Sequence, residues 1–129
     1  MVNSGKTRVL IVDDEHLIAD TLALILEKSG FVSEAAYSGA NAIEKAITLR
    51  PDVLISDVVM EGMSGIEAAI RISADLPACR VILFSGNAAT ADLVENAEAG
   101  GHRFDLISKP VHPRVLLSHL AGLQLSMAG

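Results

Sequence analysis

The sequence predicts an α/β protein, a doubly wound parallel sheet of five strands sandwiched between two layers of helices. Three observations carry that expectation. Apolar strand-like runs and helical patterns alternate five times along the chain, with short connections that make right-handed crossovers rather than hairpins. Half of the residues are apolar but only 3% are aromatic, so the core is built from Ile, Leu, Val and Ala, the usual filling of parallel strands covered by helices. Finally, four of the runs, VLIV, VLIS, VILF and DLIS, lead straight into reactive polar residues: Asp13 and Asp14, Asp57, Ser85, and Lys109. Parallel strands bring their carboxyl ends to one edge, so these residues converge on a single pocket.

The elements follow in order. A strand over Arg8–Val12 leads into a helix over Glu15–Ser29, where Ile18, Leu22, Ile25 and Leu26 share one face and Gly30 stands where a left-handed cap belongs. A strand over Val32–Ala36 precedes a helix over Ala40–Leu49, closed by Pro51. After the strand Val53–Ser56, Ser64 and Glu67 have the spacing of a capping box and start a helix over Gly65–Asp75. The strand Arg80–Phe84 precedes a helix over Ala91–Ala99 with a thin apolar stripe of Leu93, Val94 and Ala97, interrupted by acidic residues and therefore expected to pack least firmly. The last pair is a strand over Phe104–Ser108 and a helix over Arg114–Leu125, with Pro113 in its first turn and His112 as a candidate cap.

These elements make one domain over residues 8–125, between a flexible polar start at 1–7 and a short tail at 126–129. The chain is long enough to bury a core without staples. Cys79, alone of its kind, has no internal disulfide partner and reads as a small hydrophobe. No signal peptide and no apolar run of roughly 20 residues is present, so a cytoplasmic protein without a membrane role is expected. A net charge of −6 argues against nucleic acid or an anionic membrane as a direct partner.

Asp13, Asp14 and Asp57 put three carboxylates in one place, where mutual repulsion makes full ionisation costly and a hard cation relieves it. Mg2+ suits such a site, because it takes one or two carboxylates and leaves positions for water and phosphate oxygens. A carboxylate such as Asp57 can accept a phosphoryl group, with Lys109 and the Ser85 hydroxyl holding its oxygens. Each residue alone has a plainer reading: a strand end or helix start for Asp13 and Asp14, a turn for Asp57 and Ser85, a solvated charge for Lys109. Five matched residues at matched strand ends make coincidence a poor explanation.

VLIVDDE, LISDVVMEGMSGIE, ILFSG and ISKP, in this order and spacing, resemble the receiver domains of bacterial two-component response regulators, chemotaxis receivers among them, from about Arg8 to about Leu123. The resemblance implies the flavodoxin-like strand order 2-1-3-4-5. It also implies that Asp57 is the phosphoacceptor and that Asp14, Asp57 and the backbone carbonyl of Val59 hold Mg2+, with Asp13 helping through water. Ser85 and Lys109 then contact the phosphoryl group, and the Lys109–Pro110 peptide is cis. The implied partners are a histidine kinase or histidine phosphotransfer protein as donor and an unnamed downstream protein, reached through a surface near the fourth helix, fifth strand and fifth helix. Such a domain signals and is not an enzyme with a substrate of its own.

The sequence departs from the family pattern in places. Leu106 replaces the aromatic residue that usually follows the hydroxyl residue inward on switching, and Phe104, two positions earlier on the same face, is either a displaced substitute or ordinary core packing. Glu61 replaces a common proline. By the resemblance, Val59 and Asn87 flank the path of the water that removes the phosphate. The histidines His16, His102, His112 and His119 show no metal-ligand pairing and read as exposed or capping residues, with His16 at the fringe of the pocket. Leu116, Leu117, Leu120, Leu123 and Leu125 exceed one core stripe and point to a partner or dimer surface over the fourth and fifth helices.

Other functions fit less well. A small-molecule phosphatase needs a general acid two residues after the nucleophile, where Val59 stands. A flavin module needs an uncharged phosphate loop where this chain has DDEHLI. A receiver-like interaction module that works without phosphorylation is the alternative that Leu106 keeps open.

Overall fold

Five strands, β1 (Arg8–Val12), β2 (Val32–Ala36), β3 (Val53–Asp57), β4 (Arg80–Ser85) and β5 (Asp105–Ser108), pair in parallel in the order β2-β1-β3-β4-β5. The helices α1 (His16–Lys28), α2 (Gly39–Leu49), α3 (Gly65–Asp75), α4 (Ala88–Ala99) and α5 (Pro113–Ala128) alternate with them. This computed structural model describes residues 5–86, 88–101 and 104–128, with side chains at all of these except 88–91 and 124–128. Strand order and alternation make the doubly wound, flavodoxin-like arrangement that the sequence predicts.

Alternation along each strand divides the core between the two helical layers. Leu10, Val12, Leu54 and Leu83 face α2, α3 and α4, where they meet Ala42, Ala46, Ile66, Ala69, Ile72 and Val94. Val9, Ile11, Val53, Ile55, Ile82 and Phe84 face α1 and α5 and meet Ala19, Leu22, Leu26, Leu116, Leu120 and Leu123. Each fully buried aliphatic side chain contributes about 1.5–3 kcal/mol, which fixes the register of every strand. That register sets the height of each strand end, and so the site.

The local signals act largely as read. Gly30 takes a φ of +99°, and the Gly30 and Phe31 amides donate back to the Glu27 and Leu26 carbonyls, ending α1. Arg50 ends α2 with a φ of +49°. The Ser64 hydroxyl accepts from the Glu67 amide, but Glu67 turns outward to Arg71 at 3.3 Å, so only half of the capping box forms. His112 Nδ1 accepts from the Arg114 amide and caps α5, with Pro113 as its first residue.

Several expectations need correction. α4 begins at Ala88, three residues before the expected start, and α5 continues to Ala128, past Leu125. Leu93 is exposed rather than part of an inward stripe, leaving Val94 as the buried side chain among those described on α4. The described leucines of α5 do not form a surface patch: Leu116, Leu120 and Leu123 are buried and Leu117 packs against the same core. Four of the five leucines that suggested a partner surface therefore serve the core, because α5 packs along α1 with a wide apolar face. Asn87, His102 and the side chain of Leu125 lie outside the described residues.

Candidate functional site

The carboxyl edge of the sheet gathers what the sequence reading placed there. Asp13 follows β1, Asp57 is the last residue of β3, Ser85 the last of β4, and Lys109 follows β5. β3 and β4 each run one residue further than expected, so Asp57 and Ser85 belong to the ladder itself. Backbone bonds fix the strand ends: the Asp13 amide donates to Ala36, that of Val58 to Phe84, and that of Lys109 to Ser85. Strands therefore set Asp57 and Ser85 directly, and backbone bonds to strand residues set Asp13 and Lys109 just beyond them.

One carboxylate oxygen from each of Asp13, Asp14 and Asp57 lies within 4.8 Å of the others. Asp13 is only 1% exposed, and its Oδ1 accepts from the Glu15 amide at 3.0 Å. Its Oδ2 is buried without a hydrogen-bond partner. Burial raises the Asp13 pKa above the ordinary carboxylate value; repulsion from Asp57 and Asp14 adds to this, while the Glu15 amide and Lys109 oppose it. A buried carboxylate with an orphaned oxygen, clustered with two further carboxylates, is a donor set suited to a hard divalent cation.

Lys109 Nζ lies 2.7 Å from Asp57 Oδ2 and forms the ion pair at the centre of the site. Burial works against its charge, but the hydrogen bond and attraction of Asp57, with Asp13 and Glu15 behind it, raise its pKa, so it stays a cation. The Lys109–Pro110 peptide is cis. A cleft of about 590 Å³ opens beside Lys109 between α1 and the start of α5, walled by Leu17, Ile18, Leu22, Val111 and Pro113. Ser85 is buried at the same edge.

The remaining candidates separate. Val59 is exposed beside Asp57 in the β3–α3 loop. The Glu61 amide donates to Asp14 Oδ2 at 3.3 Å, a contact that the proline common at this position would remove. His16 leaves the pocket and stacks on Tyr37, with ring centroids 3.9 Å apart, while His119 pairs with Asp105 at 3.2 Å. Leu106 is 42% exposed on β5. Phe104 is 9% exposed and packs in the layer of α2, α3 and α4. The β4–β5 register pairs Asp105 with Ile82 and Ser108 with Ser85, which puts Phe104 at the far end of the strand. A ring there cannot reach space left by Ser85, because about four residues at 3.3 Å each separate them; core packing describes Phe104.

Sequence reasoning missed Ser56 and Gly65. Ser56, fully buried, donates its hydroxyl to the Asp57 carbonyl at 2.9 Å. Gly65 packs so tightly that a Cβ there would lie 2.0 Å from the same oxygen. The available signals were a lone hydroxyl inside an aliphatic run and a glycine inside the first turn of a helix.

Comparison with known proteins agrees with this geometry. The family model of the response regulator receiver domain matches residues 9–121, and the chain belongs to that family. It is 30% identical over 119 residues to the DNA-binding response regulator MtrA of Mycobacterium tuberculosis, covering 92% of this chain and 51% of that protein. It is 33% identical over 118 residues to the transcriptional regulatory protein CreB of Escherichia coli, with the same coverages of 92% and 51%. The chain thus spans about half the length of the curated relatives it matches. A CheY-like receiver domain protein from Methanospirillum hungatei superposes with a TM-score of 0.84 at 28% identity, over 95% of this chain and 96% of that one.

Proposed function

We propose that the chain accepts a phosphoryl group on Asp57 from a histidine kinase or histidine phosphotransfer protein and passes the signal to a downstream protein. The observation that carries this reading is the Lys109–Asp57 contact of 2.7 Å beside three clustered carboxylates. Asp13, Asp14, Asp57 and the Val59 carbonyl are the groups that would hold Mg2+. When bound, the ion offsets the negative charge that gathers as phosphate approaches.

This chain's own residues do the rest. An Asp57 carboxylate oxygen attacks phosphorus, an acyl phosphate bond forms, and the phosphorus–nitrogen bond to the donor imidazole breaks. The imidazole leaves with the electron pair of that bond and takes up a proton. Lys109 exchanges its carboxylate contact for a phosphoryl oxygen, and the Ser85 hydroxyl donates to another. The apolar cleft walled by Leu17, Ile18 and Val111 gives a protein donor a face to dock against beside the nucleophile. Val59, exposed next to Asp57, hinders the water that would hydrolyse the acyl phosphate.

The test is intact mass after incubation with Mg2+ and phosphoramidate. Wild type is expected to gain one phosphoryl group and Asp57→Asn none; an unmodified wild type, handled so as to protect acyl phosphates, refutes the reading.

A further inference from the structure

We propose that Ser56 is a positioning residue of the site: its buried hydroxyl, by holding the Asp57 carbonyl, sets the placement of the Asp57 carboxylate and of the Val59 carbonyl. The inference rests on the reading of Asp57 as phosphoacceptor and of Val59 as a cation ligand. It begins from an oddity of β3. Val53, Leu54, Ile55 and Ser56 are all completely buried, and Ser56 alone among them carries a polar side chain. A hydroxyl costs free energy to bury unless it is bonded, and alanine would fill nearly the same space without that cost.

The hydroxyl is bonded, and to an acceptor with few alternatives. The β1–β3 ladder ends at the pair Val12 and Ser56, so the Asp57 carbonyl lies beyond its last rung. The start of α3 closes over this oxygen: a Cβ at Gly65 would sit 2.0 Å from the oxygen and 2.7 Å from Ser56 Oγ. The backbone of Gly65 thus closes one side of the oxygen, next to Ser56. Ser56 Oγ, at 2.9 Å, is therefore the donor that satisfies the Asp57 carbonyl.

Two further bonds make this contact matter. The Val58 amide donates to the Phe84 carbonyl at 3.2 Å, and the Gly65 amide donates to the Val58 carbonyl at 2.9 Å. With the Ser56 bond, the two peptide planes that follow the Asp57 side chain are held at three points, just before Val59. Of these three, only the Ser56 contact depends on a side chain. Removing it leaves a buried carbonyl unsatisfied, and the relief available is rotation of the Asp57–Val58 peptide, which moves the backbone on both sides of it. Groups that orient ligands in this way commonly matter to cation affinity although they touch no cation.

The experiment compares Ser56→Ala with wild type and with Ile82→Val, a mild core truncation on the opposite face of the sheet. Mn2+ binding is followed by electron paramagnetic resonance, adduct formation with phosphoramidate by intact mass, and folding by thermal melts, all well below the melting range. Ser56→Ala is expected to bind Mn2+ roughly tenfold more weakly and to form adduct more slowly even at saturating cation. Ile82→Val should melt lower yet match wild type in both. A Ser56→Ala chain that melts lower but binds Mn2+ like wild type overturns the proposal, as does a wild type with no Mn2+ affinity. A wild type that binds Mn2+ but forms no adduct refutes phosphoacceptance instead, and the affinity comparison still decides the role of Ser56.

Discussion

Lys109 Nζ reaches Asp57 Oδ2 at 2.7 Å across 52 positions of sequence, joining the ends of β3 and β5. The pair is partly shielded, with the two side chains 29% and 11% exposed. Lys109→Ala leaves three neighbouring carboxylates without their cation and is expected to lower the stability of the metal-free chain by about 1–2 kcal/mol. Mg2+ replaces part of the missing charge, so urea denaturation with and without the ion should show the deficit shrinking when it is present.

Asp13 is held buried and crowded by like charge, an arrangement that favours ligand binding over folding. Asp13→Asn keeps the acceptor for the Glu15 amide and removes the charge. It is expected to raise metal-free stability by about 1 kcal/mol while weakening Mg2+ binding; thermal melts across a Mg2+ titration measure both effects.

Tyr37 is the only tyrosine, so its ionisation can be followed without overlap. Its hydroxyl donates to Asp20 Oδ1 at 2.5 Å, and that bond raises its pKa above the ordinary 10.0. The bond's contribution to stability is fully present below the unfolded value and is lost as pH rises through the folded one. Tyrosinate absorbance should therefore appear at higher pH in the native chain than in urea, and Asp20→Asn should bring the two curves together.

Gly65→Ala places a methyl group against the Asp57 carbonyl, where backbone on both sides resists movement. A loss of about 3 kcal/mol is expected, read as a lower urea midpoint. Gly62→Ala, with open space around it but a φ of +80°, should cost about 1 kcal/mol through backbone strain.

The sheet was legible because aliphatic runs such as VLIS and VILF admit one environment, and its order followed once the motifs were matched. The site was legible for a related reason: register carries strand ends to a common height. What sequence conveyed poorly was distance along an element. Phe104 and Leu106 share a face by spacing, yet only the β4–β5 register shows that Phe104 stands far from Ser85. The leucines of α5 looked excessive because sequence does not reveal how much of a helix a neighbour covers, and α1 covers more than one stripe. The start of α4 at Ala88 escaped because Ala88, Ala89 and Thr90 carry no periodic apolar stripe. Ser56 was hidden for a different reason, since its partner is a backbone carbonyl and backbone leaves no letter in the sequence.

Glu61 has a backbone amide to give, and it gives it to Asp14 Oδ2. That bond fastens the β3–α3 loop to the β1–α1 loop, and its anchor is one of the clustered carboxylates of the site. An oxygen drawn fully toward an incoming cation has less to offer the amide. On the proposed reading of the site, a bound cation would thus loosen the hold on Glu61 while fastening Val59, moving the anchor of the loop by two residues.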